Sequence, residues 1–102
     1  MELRTLIQQV KEKNLSKDQL EDYREQLSSL FAEMSVELAE VEKEKALYFD
    51  TVKTAEPQAS DISIKRRWQA RDKGLREIVL KRYLVATKEL LSSLKSRLFN
   101  IY

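Results

Sequence analysis

The segment with the clearest chemical potential is a basic stretch that contains the one tryptophan of the chain. Its candidate contact residues are Lys65, Arg66, Arg67, Trp68, Arg71 and Lys73. Lysine and arginine attract phosphate, and an exposed tryptophan can stack on a base, so the stretch suggests a nucleic-acid contact. An acidic protein partner would suit the same charges. Trp68 also lies four residues after Ile64 and seven before Leu75, which fits a buried helix face beneath solvated basic side chains.

Other reactive arrangements are sparse. Glu37, Glu40 and Glu44 share one helix face at i, i+3, i+7, but di-metal helical bundles pair such carboxylates with histidine, and the chain has neither His nor Cys. No Gly-rich phosphate loop, nucleophile elbow or pair of catalytic acids can be picked out. We therefore expect a protein that is not an enzyme, with no metal, no cofactor and no small-molecule substrate.

The elements that must position these residues are helical. The 102 residues include one Gly and one Pro, which indicates few turns and long helices. No apolar run approaches the roughly 20 residues of a membrane span, and the start at Met1 lacks the apolar region of a signal peptide. A cytoplasmic protein without membrane contact is expected.

The boundaries follow from local signals, within a single predicted helical domain over residues 1–102. Leu3, Leu6, Ile7 and Val10 predict a short amphipathic helix over 2–13. Ser16 and Gln19 form a capping box that begins a long helix over 17–54. A polar turn follows over 55–60 around Pro57, and a second long helix over 61–99. Gly74 lies inside that helix, where glycine is less favourable than alanine by about 1 kcal/mol. It indicates a close contact with another helix, a kink, or the start of a new helix with Asp72 as its cap.

The charge differs between the two halves. Residues 1–59 carry 8 Lys and Arg against 13 Asp and Glu, a net −5, and residues 60–102 carry 11 against 4, a net +7. In a hairpin closed near Pro57, the glutamates around residues 33–44 would run beside residues 71–81. Cross-helix ion pairs are therefore the plain explanation of the charge pattern, and each exposed pair contributes only about 0.2–1 kcal/mol.

The apolar pattern predicts an all-α fold, an antiparallel hairpin of two long helices with a short N-terminal helix. Leu20, Leu27, Met34, Val41 and Tyr48 recur every seven residues, which favours packing against a partner helix. Two apolar stripes on the second long helix imply at least two neighbours. The candidate self-association stripe comprises Leu80, Leu84, Leu91, Leu94, Leu98 and Ile101. We expect a homodimeric four-helix bundle, with a monomeric three-helix bundle as the alternative.

The second half also carries a resemblance. The spacing of Trp68, Ala70, Asp72 and Gly74, followed by Ile78, Leu80, Tyr83, Ala86, Leu90, Leu91, Leu94 and Arg97, resembles small helical-hairpin proteins of tailed phages and prophages, over about residues 20–98. This resemblance implies a phage setting, in which a virion component, a recombination accessory or an inhibitor of a host complex would fit. The resemblance assigns no catalytic or binding role to any residue of this chain.

The functional expectation is a non-enzymatic helical protein that binds another protein, within a virion or against a host complex, in the host cytoplasm if it is phage-encoded. The alternative is a nucleic-acid-binding accessory protein that acts through the basic segment 65–73.

Overall fold

A computed structural model of the chain describes residues 3–11 and 15–101, the last of these by its backbone only. Within these ranges there are four helices and no strands: α1 (Leu3–Val10), α2 (Lys17–Ala55), α3 (Asp61–Gln69) and α4 (Asp72–Ile101). The long helices α2 and α4 pack against each other as a helical hairpin. The predicted all-α hairpin with a short N-terminal helix is therefore confirmed.

Helix α2 begins at the predicted capping box. The Gln19 backbone N–H donates to Ser16 Oγ at 3.2 Å, and the Ser16 N–H donates to Gln19 Oε1 at 2.9 Å. Two backbone donors that have no intrahelical partner are satisfied in this way. Helix α1 was predicted over residues 2–13, of which Glu2, Glu12 and Lys13 lie outside the described residues.

The turn between the two arms of the hairpin is short and hydrogen-bonded. Helix α2 ends at Ala55, and the Glu56 N–H donates to the Val52 carbonyl oxygen at 2.6 Å. The Ala59 N–H donates back to the Glu56 carbonyl at 3.0 Å, and Lys53 Nζ donates to the Ala59 carbonyl at 2.5 Å. These bonds close the chain around Pro57, where the sequence predicts a turn.

The second arm differs from the prediction. In place of one helix over 61–99, the structure has α3 and α4, separated by Ala70 and Arg71. The Arg71 N–H donates to the Trp68 carbonyl oxygen at 3.0 Å, which tightens the end of α3 into a turn. Asp72 then begins α4, one of the three outcomes that Gly74 indicated.

The chain divides into two compact units. The first unit comprises residues 1–34 and 83–102, and the second comprises residues 35–82. The core cluster of the first unit contains Leu6, Val10, Leu20, Leu27, Leu94 and Leu98. The buried apolar side chains of the second unit are Val41, Ile64, Trp68 and Leu80. The heptad residues of α2 from Leu20 to Val41 are thus buried, as the seven-residue repeat predicts.

Candidate functional site

Helix α3 carries most of the basic segment, and its own sequence fixes where it begins. Ser60 has extended backbone angles, and its Oγ accepts from the Ser63 N–H at 3.1 Å. This is the N-cap arrangement, and Asp61 in the first turn adds negative charge where the helix dipole favours it. On the helix that begins at this cap, Ile64 and Trp68 are four residues apart, and both are buried in the second unit.

Gly74 lets α4 approach the end of α3. A Cβ atom at this position would lie 2.6 Å from the Trp68 carbonyl carbon and 2.9 Å from Gln69 Cα, and it would collide with the Trp68 carbonyl oxygen. All three contacts are backbone atoms, which cannot move aside as a flexible side chain could. The glycine is therefore required by the close packing of the two helices.

Trp68 is a core residue of the second unit. Its side chain is buried, its ring centroid lies 5.6 Å from that of Tyr48, and its indole Nε1 donates to Glu77 Oε1 at 3.1 Å. A stacking contact with a nucleic-acid base needs an exposed ring face, so the structure removes Trp68 from the candidate contact surface. The helical spacing from Ile64 to Leu75 correctly indicated this burial.

Glu77 is a buried carboxylate that sequence reasoning missed. It is 4% exposed, and its Oε2 lies 3.3 Å from both Lys45 Nζ and Lys81 Nζ. Burial alone would raise the pKa of Glu77, but the hydrogen bonds from Trp68, Lys81 and Lys45 together lower the pKa below its ordinary value. The i, i+4 spacing of Glu77 and Lys81 was the only local signal of this site. The charged carboxylate joins α2, α3 and α4.

Most of the basic candidates are held by contacts within the second unit. Arg67 makes a two-bond pair with Glu56 at 2.6 and 3.2 Å, and this hydrogen bonding lowers the pKa of Glu56. The Arg71 guanidinium lies 4.8 Å from the centroid of the Tyr48 ring. Lys73 Nζ lies 3.8 Å from a carboxylate oxygen of Glu44 on α2.

Lys65 and Arg66 differ from these neighbours. Both are exposed, and neither forms an ion pair with another residue of the described chain. Ile62, three and four residues earlier, is 67% exposed. Because residues three and four apart share a helix face, these three side chains form one outward surface of α3. We call Ile62, Lys65 and Arg66 the α3 face.

The cross-helix ion pairs expected from the charge pattern are present in part. Arg76 donates to both carboxylate oxygens of Glu37 at 2.5 and 2.9 Å, and these hydrogen bonds lower the pKa of Glu37. The acidic run on α2 therefore faces basic side chains of α4. Among the described residues, no three acidic, His or Cys side chains are grouped to hold a metal ion.

The predicted self-association stripe is not a free surface. Leu80 and Leu94 are fully buried, Leu98 is 5% exposed, and Leu84 and Leu91 are half-buried. The side chain of Ile101 lies outside the described part of the chain. The prediction was wrong for the buried members because they pack inside their own chain: Leu94 and Leu98 belong to the core cluster of the first unit.

The fold defines the class of this protein as an all-α helical hairpin. None of the helices that the structure describes is long and apolar enough to cross a membrane. Comparison with known proteins finds no matching family model, no matching curated protein and no matching solved structure. The functional argument therefore depends on the surfaces of the molecule itself.

Proposed function

We propose that this protein is a non-enzymatic, homodimeric interaction module that binds another protein through the α3 face. The observation that carries the proposal is the exposure of Ile62, 67% of whose surface is open, beside two cations with no ion-pair partner in the described chain. The Ser60 cap and the bond from Trp68 to Glu77 hold this helix at both ends. A rigid helix with one apolar anchor and two charges is suited to binding a protein.

The chemistry of the α3 face favours an acidic partner segment with a large apolar side chain. Burying an isoleucine contributes about 1.5–3 kcal/mol, whereas an exposed ion pair contributes about 0.2–1 kcal/mol. Ile62 would therefore supply most of the affinity, and Lys65 and Arg66 would select acidic sequences and orient them. Charge complementarity of this kind mainly improves specificity and the rate of association.

A selection experiment tests this proposal. Twelve-residue random peptides displayed on yeast are selected on the immobilised protein, and binding of the enriched peptides is then measured to four variants. We expect peptides rich in Asp and Glu with one large apolar residue. Their binding should fall at least tenfold in Ile62→Ser and in Lys65→Glu/Arg66→Glu, and it should be unchanged in the matched surface control Lys88→Glu and in Lys95→Glu.

Two results would contradict the proposal. If selection returns no enriched sequence, the α3 face is not a peptide-binding surface. If the enriched peptides bind all four variants equally, they bind the protein at a different surface. Circular dichroism of each variant checks that the helices are retained.

The second candidate function is the nucleic-acid accessory role, which the exposure of Lys65 and Arg66 favours. Proteins that bind DNA through 6–10 phosphate contacts lose about 10³–10⁵ in affinity between 50 and 200 mM salt. Two available cations would give a logarithmic salt slope of only about −1.8 on duplex DNA. Titration against labelled single- and double-stranded DNA at two salt concentrations tests this role. Binding that weakens with salt at about this slope, and that Lys65→Glu/Arg66→Glu abolishes, would support it, and absence of binding at low salt would remove it.

The resemblance to phage and prophage hairpin proteins suggests the biological context in which the proposed protein binding would take place. In that setting the partner would be a virion protein or a host complex in the host cytoplasm. Co-purification of the tagged protein from infected cells, with Ile62→Ser as the control, would identify a partner that requires the α3 face.

A further inference from the structure

Helix α1 covers an apolar groove of the first unit. The floor of this groove is made of leucines from α2 and α4, which are Leu20, Leu27, Leu94 and Leu98. We call these four residues the α1 groove. Leu6 and Val10 complete the same buried cluster and are 0% and 2% exposed. Because they are four residues apart, both lie on one face of α1, which therefore packs as an amphipathic helix packs in a hydrophobic groove.

The contacts of α1 with the groove are of a kind that other amphipathic helices can make. Leu6 and Val10 fill the groove, and Leu3 packs at its edge, so the apolar residues follow an i, i+3, i+7 spacing. One polar contact lies at the C-terminal end of α1, where Arg97 Nη1 donates to the carbonyl oxygen of Val10. Every helix has such a main-chain carbonyl. The groove therefore recognises a helix by its apolar spacing and its backbone.

The length and charges of α1 make it a weakly stabilised helix. It has 8 residues, whereas isolated helices shorter than about 12–15 residues are marginal in water. Its first turn contains Arg4 and no acidic residue, although the helix dipole favours an anion at this end and disfavours a cation. Its last turn contains no basic residue. Helix α1 thus depends on the groove for its structure.

Gln9 weakens the binding of α1 to the groove. Its Oε1 atom is buried and has no hydrogen-bond partner among the described residues. A buried acceptor without a partner has lost its hydrogen bonds to water and gained none in exchange, which destabilises the folded arrangement. If α1 left the groove, this oxygen would return to water. A helix with an apolar residue at this position would avoid the loss.

We propose that the α1 groove is a second protein-binding site, which α1 fills in the free molecule and an amphipathic helix of a partner protein fills after displacing α1. The partner helix carries large apolar residues at the spacing of Leu3, Leu6 and Val10, and an acidic residue in its first turn, where α1 has Arg4. The inference goes beyond the proposed function, because the α3 face belongs to the second unit and binds an acidic segment.

Helix α1 is then an autoinhibitory segment. Only residues 11–16 join it to α2, so it competes for the groove as a ligand at an effective concentration on the order of millimolar. A partner helix must bind the groove tightly enough to overcome this competition. Any change that weakens α1 without altering the groove should therefore strengthen binding of a helix in trans.

Fluorescence anisotropy tests this site with a labelled peptide of residues 1–14, whose apolar face matches the groove. The peptide is added to the full chain and to two variants. Leu6→Ser/Val10→Ser removes the buried side chains of α1, and Thr5→Gly/Gln8→Gly lowers its helix propensity at two exposed positions. We expect the peptide to bind each variant at least tenfold more tightly than it binds the wild type, because α1 then vacates the groove more often.

Controls define where the peptide binds. Lys43→Gly/Ala46→Gly places two glycines at exposed positions of α2 with the same spacing, and this chain should bind the peptide as weakly as the wild type. A peptide with Arg4→Glu should bind at least threefold more tightly than the original, because its helix is better stabilised. Ile62→Ser, added to the chain with the weakened α1, should leave binding unchanged, which separates the groove from the α3 face.

Several outcomes would overturn the inference. The peptide would then bind all chains equally, bind neither variant with a weakened α1, or lose its binding when Ile62 is replaced. Circular dichroism of the Leu6→Ser/Val10→Ser chain gives a further test, since its helix content should fall by no more than the 8 residues of α1. A larger loss would show that α1 is a structural part of the first unit that no partner can displace. Peptide selection on the α3 face tests the proposed function independently of these results.

Discussion

Substitution of Gly74 by alanine tests the break between α3 and α4. In a continuous helix over 61–99, alanine would be better than glycine by about 1 kcal/mol, because glycine loses more backbone freedom on folding. In the structure, the new Cβ would lie 2.6 Å from the Trp68 carbonyl carbon and 2.9 Å from Gln69 Cα. The two arrangements therefore predict opposite signs for the same substitution.

The magnitude follows from the kind of atom that must move. Overpacking of a tight contact costs about 1–3 kcal/mol, and contacts with backbone atoms belong at the upper end because no side chain can rotate away. Subtracting the helix-propensity gain of about 1 kcal/mol leaves a net loss of about 2 kcal/mol for Gly74→Ala. Such a loss changes the ratio of folded to unfolded protein by a factor of about 30.

Urea unfolding measures this difference with two independent signals. Circular dichroism reports total helix, and fluorescence of Trp68, the one tryptophan of the chain, reports the packing at the α3–α4 contact. Ser92→Ala is the matched control, since Ser92 is an exposed residue of α4, and alanine there should be neutral or stabilising by up to about 0.5 kcal/mol. If Gly74→Ala is as stable as the wild type or more stable, the close approach of α3 and α4 is wrong.

Three further predictions concern the buried and capping residues. The pKa of Glu77 is lower in the folded than in the unfolded protein, so the charged Glu77 stabilises the fold above the unfolded pKa, and this contribution is lost as the pH falls through the folded pKa. Between about pH 5 and 3, the free energy of unfolding measured in urea should therefore fall more for the wild type than for Glu77→Gln. Leu80→Ala should cost about 2–5 kcal/mol and Leu75→Ala less than about 0.5 kcal/mol; equal costs would show that the burial is misassigned. Ser60→Ala should cost about 1 kcal/mol, and Ser60→Asp, which keeps a side-chain acceptor, should recover most of it.

Local signals predicted the parts of the fold that depend on neighbouring residues. The capping box of Ser16 and Gln19 places the start of α2, because its hydrogen bonds join residues only three apart. The seven-residue repeat of α2 predicts which side chains are buried, since that spacing describes one face of a helix whatever the partner is. The spacing of Ile64 and Trp68 likewise indicates a core tryptophan.

The features that the sequence could not supply depend on contacts between distant segments. From the sequence, Gly74 is only a residue that destabilises a helix relative to alanine. The position of the Trp68 carbonyl group in the structure shows why no larger side chain fits there. The stripe from Leu80 to Leu98 is apolar whether it packs inside the chain or against a second copy. Periodicity identifies an apolar face but not its neighbour, so the self-association surface was assigned to residues that the chain itself covers.

The bond from Arg97 Nη1 to the Val10 carbonyl oxygen sets a condition on the order of folding during synthesis. These residues are 87 positions apart, whereas the bonds from Trp68 and Arg76 in the second unit span 9 and 39 positions. At about 5–20 residues per second, α1 waits roughly 4 to 17 seconds for its partner segment to leave the ribosome. Until Leu94 and Leu98 emerge, Leu6 and Val10 of α1 therefore lack two of the side chains that complete the core cluster of the first unit, and they stay open to chaperones.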